Sequence, residues 1–248
     1  MKPVFKNIIL YVLSLTAFSC SESKLLQKGL SQYSEHLGYE FTSPISKGPK
    51  ADSLVVIFNG RPLDSLTTAK RERTLILPFI FVNYYNLKYR VNLGASSLDQ
   101  DYNDFFFNAL LDESDRSGHF ALSYDSLPSD STYTLEITLD TCEATCVFEK
   151  TNWSIFYVYG YAMSYEEFVK PTQCKLSCSA ILRKGKDVIS DKRFVSTKKR
   201  SFPGGSNMNR SDMYPLLSSN LVETLCLCTK DCITEIVADV NKSLSEKK

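Results

Sequence analysis

Ser97-Leu98-Asp99-Gln100-Asp101-Tyr102-Asn103-Asp104-Phe105-Phe106-Phe107-Asn108-Ala109-Leu110 is the stretch on which the fold turns. Leu98, Tyr102, Phe105, Phe106, Ala109 and Leu110 recur at helical spacing and make one wide apolar face. Ser97 is placed to cap the first turn while Gln100 reaches back, and Asp99 and Asp101 suit the positive end of the helix dipole. Gly118 can end the helix in a left-handed conformation, so the predicted element runs from 97 to 117.

Working outward, the flanking sequence changes period. Leu54-Val55-Val56-Ile57-Phe58 is β-branched and apolar. A polar loop is expected over 59–73, then a run Leu75–Val82 that Pro78 makes an edge or interrupted strand. Leu87, Tyr89, Val91 and Leu93 alternate with polar residues as a half-buried strand does. After the helix, strands are expected near 120–124, 133–148, 174–183 and 188–197, the last two joined by a tight turn at Lys184-Gly185-Lys186. A terminal helix begins near Asp212 with Pro215 in its first turn and carries Leu217, Leu221, Leu225, Cys228, Cys232 and Ile236 on one face. The order of elements predicts an α+β fold, two helices packed on one face of a mostly antiparallel β-sheet.

Composition permits this and excludes other classes. A chain of 248 residues, 43% hydrophobic and 23% charged, buries a core and resembles neither a disordered chain nor a polytopic membrane protein. A formal charge of +1 supplies no field for collecting nucleic acid.

The first twenty residues carry a separate message. Lys2 and Lys6 precede the apolar run Ile8-Ile9-Leu10-Tyr11-Val12-Leu13, which is too short for a permanent membrane span and is followed by small residues and a cysteine. Leu15-Thr16-Ala17-Phe18-Ser19-Cys20 resembles the lipobox of bacterial lipoproteins. It departs from the family pattern in having Ala17 where leucine is usual and Phe18 next to it. The resemblance implies cleavage before Cys20 and acylation of its thiol, palmitate being the expected chain type. Several acyl chains at about 0.8 kcal/mol per buried methylene would hold the protein on a membrane, the outer membrane of the cell envelope being expected since Ser21 gives no inner-membrane retention signal. An ordinary secretory peptide with an incidental cysteine is the alternative. The expected organisation is a signal peptide at 1–19, an acylated N-terminus and flexible tether at 20–50, broken by Gly38, Pro44, Gly48 and Pro49, and a single domain at 51–248.

A second resemblance lies inside the domain. Phe106 to Leu122, with its Ser117-Gly118 helix end, followed by Tyr133-Thr134-Leu135-Glu136-Ile137-Thr138-Leu139, is similar to a pattern in ABC-transport auxiliary lipoproteins and in lipopolysaccharide-assembly-type lipoproteins. It covers about 35 residues and carries no catalytic set. What it implies is a non-enzymatic, lipid-anchored accessory of an envelope transport or assembly system that binds a membrane-protein partner.

No constellation of catalytic residues stands out. His36 falls in the expected tether and His119 at a helix end, neither in a nucleophile elbow or metal-ligand spacing. Pro203-Gly204-Gly205 lacks the Lys and Ser or Thr of a phosphate loop, and Asp112 with Glu113 reads as solvated surface. No enzyme activity, catalytic residue, metal or other cofactor is expected.

Two features rise above background. Trp153 to Met163 is far richer in aromatics than a connection between strands requires. It reads either as a strand or short helix covering the sheet or as a surface loop where Trp153, Phe156, Tyr157, Tyr159 and Tyr161 meet a partner or lipid headgroups. Beyond Cys20 there are seven cysteines, and export makes disulfides the expectation. Cys142 with Cys178 and Cys146 with Cys174 share one antiparallel register, given a bulge near Asp140 or Thr141, across a long connection at 149–171. Cys226, Cys228 and Cys232 fall on the terminal helix, where Cys228 and Cys232 read as small buried apolar residues. A four-thiolate zinc site from the two Cys-x3-Cys pairs is chemically possible, which keeps an extracytoplasmic metal- or thiol-binding module as the alternative function.

Overall fold

The computed structural model describes residues 22–44, 52–78, 82–117, 120–123, 132–157, 160–206 and 208–246. Residues 1–19, where a signal peptide is expected, and Cys20, Gly118, His119 and Tyr159 lie outside them. The described residues form three helices and eight strands. Helix α1 (22–30) is followed by β1 (Asp52–Asn59), β2 (Thr68–Pro78), β3 (Val82–Asn92), α2 (Tyr102–Ser117) and β4 (Phe120–Ser123). Then come β5 (Tyr133–Tyr157), β6 (Gly160–Val169), β7 (Thr172–Lys184), β8 (Asp187–Arg200) and α3 (Arg210–Ser245).

Strand β5 organises the sheet. Its N-terminal half lies between parallel β1 and antiparallel β7, with β4 and β8 outside them. Its C-terminal half lies between antiparallel β3 and β6, with β2 outside β3. The sheet is therefore mostly antiparallel with parallel pairings at β1, and the class is α+β as the element order predicts. Pro78 ends β2, where the expected edge position tolerates a residue without an N–H.

Helices α2 and α3 pack on the core face of the N-terminal half. Phe106 is fully buried and stacks on Phe58 of β1 at 5.7 Å, and Tyr102 exchanges a hydrogen bond with Thr229 of α3 at 2.8 Å. Leu217, Leu221, Leu225, Cys228, Cys232 and Ile236 are all buried, as the periodicity of the terminal helix predicts. Gly185 has φ 56°, the left-handed conformation that the tight turn between β7 and β8 requires.

Four expectations need correction. Helix α2 begins at Tyr102 rather than Ser97, and Asp101 caps it by accepting from the N–H of Asn103 at 2.8 Å. Ser97 cannot cap because its hydroxyl is buried against Thr67 at 2.7 Å, while Gln100 donates to Leu37 and Asp99 receives His36. Second, the stretch expected as a loop at 59–73 already contains the charged start of β2, and the connection expected at 149–171 is the end of β5 and all of β6.

The third correction concerns 20–50. Residues 22–44 are not a tether: α1 and the strap after it lie on the helical layer, with Leu26, Leu30 and Leu37 in the core. Gly29 lets the ring of Tyr214 approach so closely that an added Cβ would stand 2.2 Å from it. His36 bonds Asp99 at 2.6 Å, Glu40 pairs with Lys230 at 3.1 Å, and the Arg116 guanidinium lies 3.6 Å over Phe41. A third helix therefore joins the expected two.

Fourth, Glu113 is fully buried rather than solvated. Its carboxylate accepts from Thr42 Oγ1 at 2.6 Å and the Ser43 N–H at 2.7 Å, which fixes the strap over α2. Burial acts to raise its pKa, but these hydrogen bonds outweigh that and lower it.

Candidate functional site

The register of β5 on β7 decides the cysteines. A bulge does occur at Asp140, between the pairs Leu139 with Cys178 and Thr141 with Ser177. Beyond it Cys142 faces Leu176 and Ala144 faces Cys174, so the expected Cys142–Cys178 and Cys146–Cys174 bridges are not in register, and all seven described cysteines are free thiols. The physical reason lies upstream of the bulge. Leu135 with Leu182 and Ile137 with Ala180 claim the core-facing positions, and that apolar pairing leaves Cys178 opposite Leu139.

The thiols meet α3 instead. Cys174 is hydrogen-bonded to Cys228, Cys178 to Cys232, and Cys142 lies against Tyr102, all within the layer between sheet and helix. Burial pushes the Cys142 and Cys146 thiols up to about 12, and the Cys228 partner together with burial pushes Cys174 higher still. Cys228 moves the other way because it accepts from Cys174 and from the Lys198 N–H. Among the described residues no group of three His, Cys, Asp or Glu side chains is placed to hold a metal ion, so the four-thiolate site is not formed. Cys142, Cys146 and Cys174, buried and held protonated, are poor nucleophiles.

A different cluster sits at the start of α1. Glu22 Oε1 accepts from Arg210 at 2.5 Å and Lys150 at 3.2 Å, and Glu22 Oε2 accepts from Tyr89 Oη at 3.2 Å. Glu167 of β6 completes the network, 3.0 Å from Lys150 and 3.1 Å from Arg210. Burial acts to raise the pKa of Glu22, yet the Arg210 and Lys150 charges outweigh it and lower it. Here α1, β5, β6 and the first turn of α3 are tied together.

Beyond this clamp the sheet continues as a ribbon of β2, β3, β5 and β6. On one face Trp153, 40% exposed, lies opposite Tyr84 and beside Ile155, both 37% exposed. On the other face Met163 and Tyr165 are 54% and 55% exposed, paired with Ser154 and Asn152. Tyr165 is linked to the clamp, its ring 5.5 Å from Lys150 Nζ. Phe156 pairs in register with Tyr161, and Tyr157 with Gly160. The aromatic segment is thus strand, with apolar side chains still open to solvent.

A solved protein from Xanthomonas campestris, described as belonging to family DUF330, resembles this chain. The TM-score is 0.47 at 13% identity, over 86% of this chain and 97% of that one. No family model and no curated protein matches the chain. Among the described residues no helix is long and apolar enough to cross a membrane.

Sequence reasoning missed the clamp altogether. Glu22, Lys150, Glu167 and Arg210 are far apart in the chain and carry no shared motif. The available signal for α1 was Leu26 and Leu30 at helical spacing in a stretch otherwise polar.

Proposed function

We propose that this chain is a lipid-anchored, non-enzymatic accessory protein of a bacterial envelope transport or assembly system. Acylated Cys20 holds it on the membrane, and it binds a membrane-protein partner through sheet surface that the helices leave open. The observation that carries this reading is the Glu22 clamp. The chain is fixed to the folded domain two residues after Cys20, by Arg210, Lys150 and Tyr89. An anchor placed so near a fixed point would set the orientation of the domain as well as its location.

The remaining features agree with a binding role. The sheet face away from α3 carries Ile57, Val188 and Val195 exposed, and the ribbon carries Trp153 and Tyr165 exposed. Cys146, Cys174, Cys178, Cys228 and Cys232 are buried in the core, which favours packing over the thiol- or metal-binding alternative.

The test is photo-crosslinking in intact cells from positions 57, 188 and 195, compared between the native chain and Cys20→Ala. Discrete crosslinks to a membrane protein that disappear in Cys20→Ala are expected. Crosslinks unchanged by Cys20→Ala would contradict anchoring, and an absence of protein crosslinks from all three positions would contradict the partner.

A further inference from the structure

The ribbon has an uncommon distribution of apolar surface. A strand that docks on a protein buries one face, whereas here Tyr84, Trp153 and Ile155 are exposed on one side and Met163 and Tyr165 on the other. A ribbon inserted edgewise into the headgroup layer of a bilayer would cover both faces at once. Tryptophan and tyrosine, with an apolar ring and one polar group, suit the boundary between lipid headgroups and acyl chains.

Position supplies the second argument. Only Ser21 separates Glu22 from Cys20, and the two Cα steps reach at most about 7 Å. Glu22 is held on Lys150, whose Nζ lies 5.5 Å from the Tyr165 ring on the same face, and Trp153 stands on the opposite face about 10 Å further along β5. An acyl group on Cys20 therefore enters the bilayer beside this ribbon and not at the opposite end of the sheet.

We infer that the ribbon end formed by Tyr84, Trp153, Ile155, Met163 and Tyr165 is itself a membrane-interfacial site, which dips into the headgroup region beside the acylated Cys20. The occupant is the lipid interface. The inference deepens the lipid-anchor reading and rests on it for the direction of approach. Recognition is through apolar and aromatic burial, since Lys150 and Arg210 are already engaged by Glu22 and Glu167. Binding should therefore depend weakly on the fraction of anionic lipid.

Trp153 is the single tryptophan of the chain, so intrinsic fluorescence reports this site alone. The full chain is placed on phosphatidylcholine vesicles in two ways: by its own acyl groups, or as Cys20→Ala held by an N-terminal histidine tag on a nickel-chelating lipid. In both forms Trp153 emission should shift to shorter wavelength, and nitroxide-labelled lipids should quench it. Replacing Trp153 and Ile155 by Ser in the Cys20→Ala chain without the tag should lower its residual partition into vesicles about tenfold. Emission unchanged from that in solution in both forms would overturn the proposal while leaving the anchor untouched. So would emission that shifts only in native membranes and follows a crosslink from Trp153 to a protein, because the ribbon would then be a protein-docking edge. The tagged form tests the ribbon even if Cys20 carries no lipid.

Discussion

The two halves of β5 share a strand and share almost nothing else. Its N-terminal half is covered by α2 and α3, and side chains such as Leu135 and Ile137 are buried against Phe106, Leu225 and the thiol layer. Its C-terminal half leaves that cover past Phe148, is secured once by the Glu22 cluster, and then presents aromatic residues to solvent. One end is closed by helices and the other stays open to solvent. The difference teaches that an apolar segment must be judged by what lies over it, because strand propensity is similar in both halves.

The comparison breaks most clearly at Phe106. Phe106→Ala removes a fully buried ring stacked on Phe58 and should cost about 3 to 5 kcal/mol in denaturant unfolding. A loss of only a few tenths would mean that α2 does not close this end. Arg210→Ala should cost about 1 to 3 kcal/mol, since it removes the guanidinium that bridges the Glu22 and Glu167 carboxylates. Limited proteolysis should then cut within 22–44 before it cuts α3. Protection of that segment in Arg210→Ala would show that the clamp does not hold α1.

Acid should weaken the strap and the clamp together. Glu22 and Glu113 titrate below the ordinary carboxylate value of 4.5 in the fold. Their contribution is thus complete above that value and is lost as pH falls below it, through the lowered folded pKa. Glu113→Gln should lower stability at neutral pH and flatten this acid limb in denaturation curves measured across pH. An acid limb as steep as that of the native chain would remove Glu113 from the account.

The smallest effect is expected at the ribbon. Trp153→Ser should change unfolding free energy by no more than about 0.5 kcal/mol, as for other open surface positions. A cost of several times that amount would place Trp153 in a packed core and merge the two halves into one.

How much of this was legible follows the same division. Helix α3 and strands β5, β7 and β8 carry strong periodicity, and the bulge at Asp140 could be read because the apolar residues change parity there. The cysteine register was misjudged because thiols were matched to each other, whereas leucine and isoleucine pairs decide which residues face across a sheet. The start of β2 was hidden by Lys70-Arg71-Glu72-Arg73, although charge is what an edge strand uses to resist further pairing. Helix α1 was read as tether because its apolar signal is short. Its docking on Tyr214 and Arg210 depends on contacts nearly two hundred residues away in sequence. In the candidate site, Trp153 was legible from composition, while the clamp beside it was not, since ion clusters between distant elements leave no local pattern.

Lipid anchoring depends above all on Cys20. Mass spectrometry of tryptic peptides from membrane-purified protein tests it directly, because cleavage after Lys24 isolates Cys20-Ser21-Glu22-Ser23-Lys24. The account predicts that this peptide is the N-terminus and carries diacylglyceryl and acyl chains, palmitate among them. A Cys20 recovered with a free thiol, within a chain that still begins upstream of it, would contradict the account.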